Sequence, residues 1–138
     1  PSIPVTASVA LRSPMLSPDQ ASDFNIARIV RQDGRVGLSN VKHTAHAAYK
    51  DIDLTGVKTI AVITYMLPGQ VGGDIELHLD QPDGELLAKV SAQQPGLAFT
   101  PAKVRSPEGT HTIYVVFRNA SAPDKEMFYF GGLNLGNK

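Results

Sequence analysis

Asp74-Ile75-Glu76-Leu77-His78-Leu79-Asp80 is the stretch on which the fold class turns. Ile75, Leu77 and Leu79 fall on one alternating set, and Asp74, Glu76, His78 and Asp80 fall on the other. A strand half-buried against a core needs this period of two, whereas a helix would scatter the leucines around its surface. Gln81-Pro82-Asp83-Gly84 follows with the chemistry of a turn, proline setting φ and glycine free to take a positive φ. Glu85 to Ala92 then returns as the hairpin partner.

The same grammar extends in both directions. Lys58 to Leu67 (KTIAVITYML) is apolar on both alternating sets, which reads as a strand buried on both sides and ended by Pro68-Gly69. Leu97 to Val104 follows Gln94-Pro95-Gly96, and Thr110 to Arg118 (THTIYVVFR) gives the strongest strand pattern. Glu126 to Leu135 reads as the closing strand, and Gly131-Gly132 within it suggests a bulge or a close backbone approach. Before Tyr49 the pattern is weaker. Ala7 to Arg12 and Ile26 to Arg31 read as strands. Ser17 to Asp23 reads as a loop, with a short helix capped by Ser17 and opened by Pro18 as the alternative.

Ten prolines and twelve glycines at short intervals leave little room for helices, and no repeat or mid-chain linker appears. The expected architecture is one all-β domain over residues 1–138, a two-sheet antiparallel sandwich of the jelly-roll kind. A chain of 138 residues is long enough for a two-layer core.

Thirteen basic residues balance thirteen acidic ones, so no long-range field draws the chain to nucleic acid or to an anionic membrane. No apolar run is long enough to span a bilayer. The absence of cysteine excludes disulfides, thiolate metal sites and cysteine catalysis. The chain starts at Pro1 without a signal-like segment and reads as an excised or processed piece.

Tyr49 to Ile60 (YKDIDLTGVKTI), Gly72 to Gly84 (GGDIELHLDQPDG) and Gly109 to Phe117 (GTHTIYVVF) resemble, in this order, three motifs of the family 6 carbohydrate-binding modules. That resemblance implies a galactose-binding-like β-jelly-roll appended to a secreted or periplasmic carbohydrate-active enzyme. The implied partners are a polysaccharide or oligosaccharide and a neighbouring catalytic domain of the same polypeptide, with a structural calcium ion as cofactor. In the family an aromatic pair sandwiches a sugar ring at one end of the sandwich and a late asparagine hydrogen-bonds it. This chain has no tryptophan. Leu97 stands where the family's tryptophan is expected, with Phe99 two residues on, and Tyr129 takes the asparagine's place. His43 is the only ring in the segment that usually supplies the second aromatic.

The candidate sugar contacts are therefore Tyr129, Phe99, Leu97 and His43, with Tyr129 and Phe99 as core rings on the alternative reading. Glu76 and His78 are further candidates, since related modules use a sheet face as a second cleft; the bland reading is the wet side of a sheet. Asp19 and Asp23 are the candidate calcium ligands, although the family's glutamate-rich opening is missing. No nucleophile elbow, phosphate loop or zinc helix is present. Glycoside hydrolysis requires two carboxylates facing each other about 5–9.5 Å apart across a cleft; Asp74, Glu76 and Asp80 share a strand face, but nothing in the sequence raises one of their pKa values into the acid role. The expected function is a non-catalytic module that targets an attached exported enzyme to a glycan. The alternative is a structural or docking sandwich that has lost its sugar site, which predicts an apolar surface patch including Leu97, Phe99 or Tyr129.

Overall fold

In the computed structural model, residues 15–25, 27–32, 35–105 and 108–136 are described. Eleven strands and one short turn of 3-10 helix make up the described elements: β1 (Met15–Leu16), η1 (Pro18–Gln20), β2 (Asp23–Asn25), β3 (Arg28–Gln32), β4 (Arg35–Ser39), β5 (His46–Asp53), β6 (Thr59–Met66), β7 (Gly73–Leu79), β8 (Glu85–Ala92), β9 (Gly96–Lys103), β10 (Thr110–Arg118) and β11 (Tyr129–Gly136). One sheet runs β3-β4-β11-β6-β9, with β1 also pairing β11, and the other runs β2-β5-β10-β7-β8. Every pairing is antiparallel. This is the expected sandwich.

The alternating sets decide which side chains enter the core. Ile75, Leu77, Ile113, Val115 and Phe117 have no exposed surface, and Leu79 is nearly as buried. Across from them the second sheet contributes Leu38, Ile60, Val62, Phe130 and Leu133, which belong to the same cluster. Tyr49 is inside as well, and its hydroxyl donates to the Ser17 carbonyl at 3.1 Å. Burial, with the charge of Asp19 adding to it, pushes that phenol far above its ordinary pKa. The bond ties η1 to the core.

Several expectations need correction. The expectation that the strand Lys58 to Leu67 is covered on both sides holds in part: on its second face Ile63 is 7% exposed, whereas Tyr65, nearer the strand's end, is 45% exposed. Ser17 to Asp23 contains a turn of helix rather than only loop, with the Ser17 N–H donating to Gln20 Oε1 at 2.7 Å. The positive φ after β7 falls on Asp80 (68°), whose carboxylate accepts the Thr112 N–H at 3.2 Å. Gly84 is needed for space, since a Cβ there would collide with the Leu79 carbonyl oxygen. The strand expected at Ile26 to Arg31 begins two residues later, at Arg28, and Ala7 to Arg12 lies outside the described residues. Gly131-Gly132 does mark a bulge, where the β11–β6 register shifts between Phe130 and Gly132. Among the described residues no helix is long and apolar enough to cross a membrane.

Candidate functional site

Strand order sets the first candidate face. β6 lies between β11 and β9, so Tyr65 is directly paired with Tyr129 on one side and with Leu97 on the other. Paired residues on antiparallel strands point to the same side, and strands sit about 4.8 Å apart. Tyr129, Tyr65 and Leu97 thus form one outward row across three strands. The next row holds Gly131, Ile63 and Phe99, with Ile63 paired to Phe99. A Cβ on Gly131 would meet the Ile63 side chain at 2.8 Å, so this glycine lets Ile63 lie flat against the strand.

Leu97 is 61% exposed and Phe99 58%, so neither is a core residue. Tyr129 is half-buried. The structure therefore brings three of the sequence candidates, Tyr129, Phe99 and Leu97, onto a single face, together with Tyr65, which the apolar pattern of Lys58 to Leu67 places on a covered strand. The one signal that could have found Tyr65 is its polar hydroxyl at the end of an otherwise aliphatic strand.

His43 does something different. It sits in the loop before β5, and its Nδ1 accepts the Asn119 N–H at 2.9 Å. Asn119 in turn donates through Nδ2 to the Gly72 carbonyl at 2.8 Å, and Glu126 Oε2 accepts the Asn40 N–H at 2.7 Å. These bonds lash three loops together at that end of the sandwich. His43 belongs to this lashing, not to the aromatic row.

Glu76 and His78 lie on the outward face of the other sheet, paired with Val116 and Tyr114 of β10. Glu76 Oε1 accepts from Arg118 Nε at 3.1 Å and lies 2.9 Å from His78 Nε2, while His78 Nδ1 is 2.9 Å from the Gly84 carbonyl oxygen. Burial pushes the Glu76 carboxyl up, but hydrogen bonds from His78 and Arg118 and their charges outweigh it and hold it below the usual range. The ring of Tyr114 meets His46 edge-on at 5.9 Å. His78 is only 9% exposed, so this part of the sheet is a knitted polar network rather than an open wet face.

At the other end of β10, His111 Nδ1 faces Asp80 Oδ2 at 3.1 Å and its Nε2 faces the Glu108 carbonyl at 2.9 Å. Both partners accept, which favours the imidazolium and raises the His111 pKa. The same hydrogen bond lowers that of Asp80. A raised histidine stabilises the fold below its ordinary value of 6.5, and that contribution fades as pH rises through the folded value. A lowered aspartate stabilises above its ordinary value of 3.8, and that contribution is lost as pH falls. The difference in Tm between the native chain and His111→Ala is therefore expected to be greatest between these two values and to shrink toward pH 8. A melting series from acid to mildly alkaline buffer checks it, and a difference independent of pH would contradict it.

Asp19 lies 3.5 Å from Arg31, and Asp23 is exposed on β2. Among the described residues no three His, Asp or Glu side chains converge as metal ligands. Calcium takes six to eight oxygens, so Asp19 and Asp23 would need backbone carbonyls and water beside them to complete its shell.

Solved structures share the fold at low identity. A family 6 carbohydrate-binding module from Clostridium cellulolyticum, in complex with xylose, matches with a TM-score of 0.77 and 18% identity, over 88% of this chain and 95% of that one. A β-1,3-glucan binding module from Bacillus halodurans gives 0.75 and 17%, over 88% and 93%. A glycoside hydrolase family 43 arabinoxylan arabinofuranohydrolase from Bacillus subtilis, in complex with cellotetraose, gives 0.75 and 14%, over 90% of this chain and 27% of that enzyme. No curated protein sequence matches. The sequence profile described as carbohydrate binding module (family 6) matches residues 16–135, and the chain belongs to that family.

Proposed function

We propose that this domain binds a glycan without acting on it and holds an attached exported enzyme at that glycan. Family membership supports the ligand class. The observation that carries the reading is the outward row Tyr129-Tyr65-Leu97 with Phe99 beside it. A pyranose ring has an apolar face that stacks on flat or aliphatic side chains, while its hydroxyls turn toward water or toward tyrosine oxygens. The neighbouring catalytic domain is supported by the Bacillus subtilis hydrolase, in which the similar part is a minor share of the chain. Secretion or periplasmic export follows from the same reading.

Affinity gels loaded with plant, algal and bacterial polysaccharides test it. Retardation on at least one gel, with no hydrolysis of the polymer, is the expected result; free migration through all of them rejects the proposal. A second reading has an observation of its own, because Leu97 and Phe99 are exposed apolar side chains of the kind that marks protein contacts. In that case the face docks a neighbouring domain, and the gels show no retardation.

A further inference from the structure

The outward face of the β3-β4-β11-β6-β9 sheet has three properties that together constrain its ligand. First, its centre is uncharged. From β11 to β9 the two rows read Tyr129, Tyr65 and Leu97, then Gly131, Ile63 and Phe99; among the side chains that are described, the charged ones on this side, Arg28 and Lys103, stand at its margins. An uncharged face matches an uncharged polymer and gives nothing to a uronate or sulfate group. Second, the contacts repeat. The row crosses the strands at right angles with one side chain per strand, about 4.8 Å apart, a spacing comparable to successive sugars in an extended β-linked chain. The second row lies two residues along each strand, where an adjacent parallel chain would run.

Third, the face is an open sheet surface carrying few fixed hydrogen-bonding groups. Soluble oligosaccharides are usually held in clefts where converging polar groups satisfy their hydroxyls, and within these two rows the Tyr65 and Tyr129 hydroxyls are the polar side-chain groups. A free chain would also lose conformational freedom on settling against so open a surface. A chain already fixed in an ordered array has lost that freedom, and its remaining hydroxyls are satisfied by its own lattice.

Resting on the sugar-binding reading, we propose that this face binds the ordered surface of an insoluble, neutral β-linked polysaccharide, with the chains lying across the strands. The occupant stacks on Tyr65, Leu97, Phe99 and Tyr129.

Depletion of the 138-residue chain from solution by microcrystalline cellulose and by crystalline chitin tests the proposal. At least one of them is expected to retain the chain. The double variant Tyr65→Ala/Phe99→Ala is expected to weaken retention about tenfold, and soluble cellohexaose or chitohexaose in millimolar excess should not release the chain. Both rings are exposed, and Leu97→Gln serves as a second variant should the double variant lose its circular dichroism spectrum. Failure of both crystalline polymers to retain the chain overturns the proposal, as does retention that the variants leave unchanged. Binding to soluble glycans that is lost in Tyr114→Ala and kept in Phe99→Ala also overturns it, while leaving the sugar-binding reading intact. No binding to any glycan, with self-association in sedimentation that the double variant abolishes, overturns both in favour of a protein partner.

Discussion

Phe117→Ala is expected to remove about 3–5 kcal/mol of stability, the cost typical of deleting a fully buried aromatic ring. Phe117 lies on β10, which pairs with β5 on one side and β7 on the other, so it occupies the middle of its sheet. Its ring meets Phe128 edge-on at 5.9 Å and Phe130 at 5.3 Å, and Phe130 belongs to the opposite sheet. All three have no exposed surface. Truncation would leave a hole between the layers with two rings facing it, and neighbours fixed by sheet pairing could close it only in part. Domains of this size typically hold about 5–15 kcal/mol in total, so little would remain. Urea unfolding measures this as a lowered midpoint with unchanged slope. A loss below about 1 kcal/mol would mean that the two layers do not meet at this ring.

Gly132→Ala should cost nearly as much, about 2–4 kcal/mol, through a different mechanism. Gly132 has φ of 113°, a conformation side chains rarely adopt, at the point where β11 bulges. A Cβ there would also land on the Leu16 carbonyl oxygen and lie 3.1 Å from Met15 Cε. Leu16 and Met15 form β1, which pairs with β11 at Leu133 and Asn134. The substitution therefore strains the closing strand and pushes β1 away from it. Thermal or urea melts give the size of the loss, and hydrogen exchange locates it. The Met15 and Leu16 amides should exchange faster while those of β10 keep their order of protection. Unchanged melting would contradict both the bulge geometry and the β1 contact.

How much of this was legible in the sequence varied with how local the determinants are. The sequence pattern gives β8 and β10 with their bounds, and β7 to within one residue. Their alternation and the turn chemistry between Asp80 and Glu85 lie within a few residues of one another. β2, β3 and β4 are short, and two of the three rely on distant partners. β2 pairs with β5, and β4 meets β11 through Leu38 and Phe130, some ninety positions apart. No local pattern announces such a pairing. The paired apolar sets of β6 correctly predict a strand, but they do not distinguish Ile63, which is buried on the second face, from Tyr65, which stands exposed two residues on.

The site followed the same logic. Leu97, Phe99 and Tyr129 were named one at a time from their places in motifs. What makes them a surface is that β6 runs between β9 and β11, a fact of sheet order that leaves no trace in spacing. Glu76 and His78 were correctly turned away from the core by alternation, yet that pattern could not foresee that Arg118 and the Gly84 carbonyl would take up their polar atoms. His43 was given a ring's role by position, and the structure uses its nitrogen.

Glycan contact is expected on the outer face of the sheet containing β6. Hydroxyl-radical footprinting of the chain adsorbed on microcrystalline cellulose or crystalline chitin, read by mass spectrometry, tests it most directly. Tyr65, Leu97, Phe99 and Tyr129 should be shielded from oxidation by the polymer, with Tyr114 and His46 as reactive as in free solution. Shielding of Tyr114 and His46 with Tyr65 and Phe99 still fully reactive would place the ligand on the other sheet and contradict the claim.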